Sequence, residues 1–324
     1  MDVSKTIFNT LSEFDYVKIV PYQIKKIAVK DCYTTFTNGC KKAKKEGVPF
    51  EMHYRSKKAP KQTMYIPKSA VSADGIYYTL SGKLKYAEYD WLTKEYGDCR
   101  LTKENNRWFI VVPIKDDSKA IYFDNQEGIV ALDPGVRTFI TYFSDDGRFG
   151  LLGYRSAQTI FIKLRRLDKL LSKKETVKDR RENAILNRKI KTIRFRIHNL
   201  IDELHWKVIN YLTKNYSTIL LPTYETSEMT CKIGRKLNKT SVRSMLSLRS
   251  FEFEQRLQNK CNERGVQLIR CNEAYTSKTN SFTGEIFNIG SREWFNYNGV
   301  RINRDINAAR NILLRALRDD SANG

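Results

Sequence analysis

Three carboxylates stand where short apolar runs end or a helical pattern begins. Asp133 closes Gly128-Ile-Val-Ala-Leu-Asp133, Glu273 follows Val266-Gln-Leu-Ile-Arg-Cys271, and Asp305 precedes the helical stretch Ile306–Leu317. Acids collected at strand ends repel one another unless cations neutralise them, and an oxygen-only ligand set favours Mg2+ or Mn2+. Two such ions about 3.5–4 Å apart activate a water and stabilise the leaving oxygen of a phosphodiester. Each acid also has a plain structural reading. Asp133 suits a turn before Pro134-Gly135, Asp305 suits the positive end of a helix dipole, and Glu273 says little by itself. Spacing alone reaches a basic α/β protein, with a metal nuclease as one reading of it.

The elements that would carry these acids form a mixed pattern from residue 128 onward. Ile129–Asp133, Thr138–Phe143 and Phe149–Gly153 read as strands, with Asp145-Asp146-Gly147 as a hairpin turn. Helices are expected over about 156–173 and 179–213, from apolar residues at Ile190, Ile193, Ile197, Leu200, Ile201, Leu204 and Val208. Thr218–Leu221 reads as a buried strand, 240–264 as a helix and Val266–Cys271 as a further strand. Strands alternating with helices after an initial meander indicate a mixed sheet flanked by helices. Upstream, 1–47 reads as helical, and 50–125 holds short strand-like runs at Met64–Ile66, Gly75–Leu80 and Arg107–Pro113. Turn residues at 72–75, 96–99 and 103–106 separate them, which suggests a small antiparallel barrel or sandwich.

Charge narrows the partner. The chain of 324 residues carries 58 Lys and Arg against 36 Asp and Glu, a net +22 with 12% aromatic residues. That surplus points to a polyanion, and the aromatic content excludes a disordered basic tail. A biased amino-acid vocabulary is the plainer explanation of the charge. No run approaches the roughly 18–20 apolar residues of a spanning helix, and the N-terminal segment lacks a signal-type apolar core. Cys32, Cys40, Cys99, Cys231, Cys261 and Cys271 form no close pairs, as expected of reduced thiols inside a cell. Residues 151–200 hold fifteen Lys and Arg against four acids, half of the whole surplus. Helices so one-sidedly basic suit a polyanion lying along them. A second basic stretch, 41–70, interleaves nine Lys and Arg with Phe50, His53, Tyr54 and Tyr65. It fits a nucleic-acid surface and, nearly as well, a solvated charged face.

Ordered words in the sequence are more specific than spacing. Ala131-Leu-Asp-Pro-Gly-Val-Arg-Thr-Phe139, Asn272-Glu-Ala-Tyr-Thr-Ser-Lys-Thr279 and Asn303-Arg-Asp-Ile-Asn-Ala-Ala-Arg-Asn311 closely resemble the split RuvC nuclease of TnpB and Fanzor proteins. Those proteins are transposon-associated RNA-guided DNA endonucleases related to type V CRISPR effectors. Leu221–Met229 and Met64–Lys68 also resemble family segments, so the likeness runs from about residue 14 to 318. It implies an RNase H-like core in which Asp133, Glu273 and Asp305 are catalytic and hold Mg2+, with Mn2+ as a substitute. Glu273 matches the relocated acid of the Fanzor-like branch, and Glu225 is its rival.

The resemblance also implies a layout. Residues 1–24 would be the remnant of a helical recognition region and 25–125 an oligonucleotide-binding, wedge-like barrel gripping guide RNA. Residues 126–324 would be the nuclease domain, interrupted by basic helices at about 154–214 and by an insert at about 279–302. The residues expected on nucleic acid are Lys57, Lys58, Lys61, Lys68, Arg137, Lys163, Arg165, Arg166, Lys173, Lys174, Arg188, Lys189, Arg194 and Lys278. Guide RNA and target DNA are the implied partners, with one protein per RNA and no membrane. The compartment would be the nucleus of a eukaryotic or virus-infected cell, or a prokaryotic cytoplasm. The family's zinc ribbon has no cysteine here, in Asn280–Gly284 or Phe295–Gly299, so no zinc is expected. Trp294, Phe295, Phe282 and Phe287 are expected to pack that insert instead. A homologue that binds nucleic acid without cutting it, and a guide-independent structure-selective nuclease, remain as alternatives.

Overall fold

The computed structural model describes residues 9, 14–53, 56, 59, 61–105, 107–115, 123, 126–223, 239–271, 276, 278–286 and 293–323. Lys57, Lys58, Glu225, Cys231, Glu273 and Phe287 lie outside them. The chain divides into two compact units, Met1–Asp117 and Ser118–Gly324.

In the first unit, helix α1 (Tyr22–Glu46) starts behind Pro21 and stops at Gly47, whose φ of 66° is the left-handed conformation of a helix end. Pro21 separates it from a single turn at Asp15–Lys18, so the expected 1–47 helix is two pieces. Strands β1 (Lys61–Ile66), β4 (Cys99–Glu104) and β5 (Arg107–Val111) form an antiparallel sheet in the order β1-β4-β5. Between them β2 (Val71–Ser72) and β3 (Gly75–Ile76) make a tiny hairpin. Among the described residues this is an open three-stranded sheet with a separate hairpin, where a barrel or sandwich was expected. The strand expected over Gly75–Leu80 ends at Ile76. There Tyr77 turns left-handed, and the Ser81 hydroxyl donates to the Ile76 carbonyl at 2.6 Å, closing a helical turn instead. The core is Ile66, Val71, Ile76 and Cys99, with Trp91, Leu101 and Ile110 packed around it.

The second unit is built on a five-stranded sheet in the order β10-β9-β6-β7-β8. Its strands are β6 (Ile129–Pro134), β7 (Ile140–Ser144), β8 (Phe149–Leu152), β9 (Thr218–Pro222) and β10 (Gln267–Cys271). The first three form an antiparallel meander, while β9 and β10 run parallel to β6. Helices α2 (Ser156–Thr176) and α3 (Arg180–Asn215) follow β8. Asp179 caps α3 by accepting from the Glu182 N–H at 2.6 Å. Thirty-six residues make α3 about 54 Å long. It buries Leu186, Ile190, Ile193, Ile197, Ile201, Leu204, Val208 and Leu212, the steps of three and four of a helical stripe. With Ile160, Leu164 and Leu167 of α2, the stripe from Ile190 to Leu212 packs against Val130, Leu132, Ile140, Ile219 and Leu221 of the sheet.

The helix expected over 240–264 is two helices, α4 (Lys239–Ser247) and α5 (Ser250–Arg264). Arg249 between them has φ 51°, a left-handed value that breaks the helix without glycine or proline. The opposite face of the sheet is covered by α6 (Arg304–Asn323). Its Ile312 and Leu313 pack on Ala131 and Leu220, with Ala316 alongside.

Candidate active site

The chemistry-bearing residues occupy the carboxyl ends of the parallel strands, where open α/β sheets collect function. Asp133 lies on β6 opposite Thr141 of β7. Side chains alternate along a strand, so Asp133 shares a face with Ala131, and that face is the one α6 covers. Pro134-Gly135 then turns the chain, and the Gly135 N–H donates to the Phe139 carbonyl at 3.1 Å. A Cβ on Gly135 would stand 2.8 Å from the Thr138 carbonyl oxygen, so this turn requires glycine.

Asp305 sits in the first turn of α6. The Asn303 side chain caps the helix, accepting from the N–H groups of Asp305 at 2.9 Å and Ile306 at 3.2 Å. The Arg304 guanidinium lies 3.3 Å from the Asp305 carboxylate. Asp305 lines a cavity of about 200 Å3 with Val136, Arg137 and Thr138 of the turn that follows Asp133. Both acids therefore stand at the same end of the sheet. Among the described residues no group of three or more potential metal ligands occurs. The third expected acid, Glu273, belongs to 272–275, outside the described residues, as does Glu225. What is described is the anchoring on either side of 272–275. Before it, Cys271 of β10 pairs with Pro222 of β9. After it, the Asn311 amide donates to the Thr276 carbonyl at 2.8 Å and the Thr279 carbonyl at 2.6 Å. Asn307 donates to Thr279 at 2.8 Å and accepts from the buried Ser281 N–H at 2.9 Å. Arg310 reaches the Ser281 carbonyl at 3.3 Å and stacks over Phe282 at 4.3 Å.

Sequence reasoning missed these clamps. Asn303, Asn307 and Asn311 recur every four residues on one helix face, all at most 7% exposed, and that spacing of polar residues was the available signal. Glu293 was missed too; its carboxylate lies 3.8 Å from the Arg137 guanidinium beside Asp305.

The cysteine-free insert folds by other means. Asn280–Gly284 closes on itself through Gly284 N–H to Asn280 carbonyl at 2.8 Å and Phe282 N–H to the Asn280 side chain at 3.0 Å. β11 (Trp294–Tyr297) and β12 (Val300–Asn303) form a hairpin with Asn298-Gly299 at its turn, both at positive φ. Of the expected apolar packing of Trp294, Phe295, Phe282 and Phe287, the part that involves Phe287 lies outside the described residues. Phe282 stacks on Tyr297 at 6.2 Å and stays 58% exposed, and Trp294 carries Arg301 at 4.9 Å. Phe282 and Trp294 each carry an arginine over the ring at the surface.

The expected nucleic-acid contacts are dispersed over the surface. Lys163, Arg165, Arg166, Lys173 and Lys174 lie on α2 and Arg188, Lys189 and Arg194 on α3, all exposed or half-buried. Among them Lys173 pairs with Glu182 at 2.9 Å. Lys278 and Arg137 are exposed in the second unit. In the first unit, Lys61 lies 4.0 Å from Glu104, and the Lys68 ammonium stands over the Tyr96 ring at 4.9 Å.

Comparison with known proteins follows the same segments. Residues 251–312, from α5 into α6, match the family model "Cas12f1-like, TNB domain". The candidate transposase A625R of Paramecium bursaria Chlorella virus 1 is 30% identical over 313 residues, covering 92% of this chain and 70% of that protein. The TnpB-like protein L79 of Acanthamoeba polyphaga mimivirus is 24% identical over 196 residues, covering 59% of this chain and 38% of its own. The chain belongs to the TnpB family. Among solved structures, a Cas12f1–sgRNA–target DNA complex aligns at TM-score 0.46 and 16% identity, covering 76% of this TnpB-family chain and 49% of that one. A CRISPR-Cas12f ternary complex aligns at 0.42 and 19%, covering 68% and 46%.

Proposed function

We propose that this TnpB-family protein is a divalent-cation-dependent, RNA-guided DNA endonuclease of the Fanzor-like branch. One observation carries the reading: Asp133 ends β6 on the face covered by α6, Asp305 heads α6, and both border one end of the sheet. The strand order, an antiparallel meander with two strands added parallel to its first, supports an RNase H-like core of the RuvC type. Carboxylate oxygens are the donors that Mg2+ and Mn2+ accept, so Asp133 and Asp305 fit such an ion, with Glu273 as third ligand. A bound cation would supply an activated water and screen the phosphate charge. The protein's own part is positioning. The Gly135 turn fixes Asp133, the Asn303 cap fixes Asp305, and Asn307 and Asn311 anchor the chain that follows Glu273. The exposed cations of α2 and α3 would hold the guide–target duplex by its backbone. The sheet unit of residues 61–111 would hold RNA, with one protein per guide.

The test is Mg2+-dependent cleavage of matched DNA by the protein with its co-purified RNA. Asp133→Ala and Asp305→Asn are expected to lose about 10³-fold or more in cleavage, roughly 4 kcal/mol of barrier, while retaining RNA binding. Undiminished cleavage by Asp133→Ala would remove the assignment.

A further inference from the structure

The cavity that holds Asp305 also gathers a guanidinium, an amide and a phenol, from Arg137, Gln158 and Tyr154. Arg137 is four residues beyond Asp133, in the turn pinned by Gly135. At about 200 Å3 the space suits one phosphodiester group rather than a base pair. A guanidinium fork matches phosphate oxygens bidentately, so Arg137 beside a cation-binding acid is a phosphate seat. In the structure Arg137 instead faces Glu293, Nη1 to Oε2 at 3.8 Å, with the two side chains 58% and 45% exposed. Glu293 is tied to the site, because its carbonyl accepts the Arg304 N–H at 2.9 Å, immediately before Asp305. A long, half-exposed pair of this kind is weak, so an arriving phosphate can displace it.

We propose that Arg137 seats a phosphate of the DNA strand lying across the carboxylates, and that Glu293 occupies Arg137 until a strand arrives. Binding exchanges one carboxylate for one phosphate, and Glu293 sets how tightly a strand must bind to enter. Arg137 is thus a positioning residue and Glu293 its competitor. The inference rests on the nucleic-acid reading above but not on catalysis.

The experiment follows binding of a fluorescent single-stranded DNA of about 12 nucleotides to the full chain in EDTA, where no cutting occurs, over a range of salt. Glu293→Gln is expected to tighten binding about two- to five-fold. Arg137→Ala should weaken it and lower the slope of log affinity against log salt by about one. In the double variant, Glu293→Gln should add nothing. Equal tightening by Glu293→Gln in both backgrounds would mean that Glu293 only adds bulk negative charge, and the exchange would be overturned. An unchanged slope in Arg137→Ala would overturn the phosphate seat. Salt-dependent binding by the unmodified chain, together with no Mg2+-dependent cutting of matched DNA by its complex with co-purified RNA, would remove the endonuclease reading and leave the exchange standing. No binding by the unmodified chain would overturn both.

Discussion

The side-chain amide of Asn311, two turns into α6, donates to the main-chain carbonyl of Thr279 at 2.6 Å, and to that of Thr276 at 2.8 Å. One buried asparagine therefore joins the helix headed by Asp305 to the chain that follows Glu273. Asn311→Leu keeps the branched shape but removes the donor from both carbonyls. Loss of a donor to buried polar groups costs about 1–3 kcal/mol. Thermal unfolding should show Tm lower by about 5 °C, and cleavage should fall more than RNA binding. An unchanged Tm would show that the clamp carries no stability.

The turn after Asp133 makes a sharper demand. A methyl group on Gly135 would press against the Thr138 carbonyl oxygen at 2.8 Å, and backbone cannot swing aside as a flexible side chain can. Gly135→Ala should displace the end of β6 and reduce cleavage by at least about tenfold, with a loss of about 1–3 kcal/mol in stability. Gly147→Ala is the control: it sits at φ 84° with no atom within 4 Å, so it strains the backbone without moving Asp133. Equal cleavage losses in the two variants would make turn strain, not Asp133 placement, the cause.

These two positions also mark what was legible in the sequence. The β6 run ending in Asp133 and the stripe of α3 were readable because periodicity reports burial on one face. The Asn303–Asn311 face was not, because buried polar residues resemble exposed ones until their partners are known, and the partners of Asn307 and Asn311 lie in the separate segment 276–281. The break at Arg249 escaped notice because it uses no glycine or proline; ion pairs with Asp202 and Glu252 hold the left-handed arginine. Strand β4 was split between two expected turns, since Arg100, Lys103 and Glu104 dilute its alternation, and its pairing on both sides by β1 and β5 supplies what composition lacks.

The insert without cysteines yields a metal-removal experiment. Its turns close through Asn280 and Asn298-Gly299, and Phe282 on Tyr297 bridges them. A zinc chelator is therefore expected to leave Tm unchanged. Asn280→Ala, which removes the side-chain acceptor for the Phe282 N–H, should cost about 1 kcal/mol. A chelator-induced fall in Tm would contradict this account of the insert.

The basic helices predict a salt dependence. Replacing Arg165, Arg166, Arg188, Lys189 and Arg194 by Gln should flatten log affinity for duplex against log salt by about 0.9 for each phosphate contact removed. Lys173→Gln should do less, because Lys173 already spends its charge on Glu182 at 2.9 Å. A slope unaffected by all five replacements would move the duplex elsewhere on the protein.

A last expectation concerns acid. His205 is fully buried, its ring stacked on Phe139 at 5.2 Å. Its Nε2 lies 2.9 Å from the Leu248 carbonyl and its Nδ1 3.2 Å from the Arg256 guanidinium. The neutral ring satisfies both contacts, Nε2–H donating and Nδ1 accepting. Burial holds its pKa down at about 4, against an ordinary 6.5. Between those values the unfolded chain takes up a proton that the folded chain refuses, so stability is full above pH 6.5 and falls as the solution is acidified towards pH 4. The loss from this group is about 2 kcal/mol by pH 5. Asp202 adds a loss of the same sign only in stronger acid, below the ordinary carboxylate value of 3.8: burial opposes its ionisation, but hydrogen bonds from Arg256 and Arg249 outweigh that and hold its pKa down. Urea unfolding at pH 5, 6 and 7 should therefore show stability rising with pH. His205→Gln, which cannot titrate, should be less stable at pH 7 yet much flatter between pH 5 and 6.5. A variant as steep as the unmodified protein would assign the acid sensitivity to other groups.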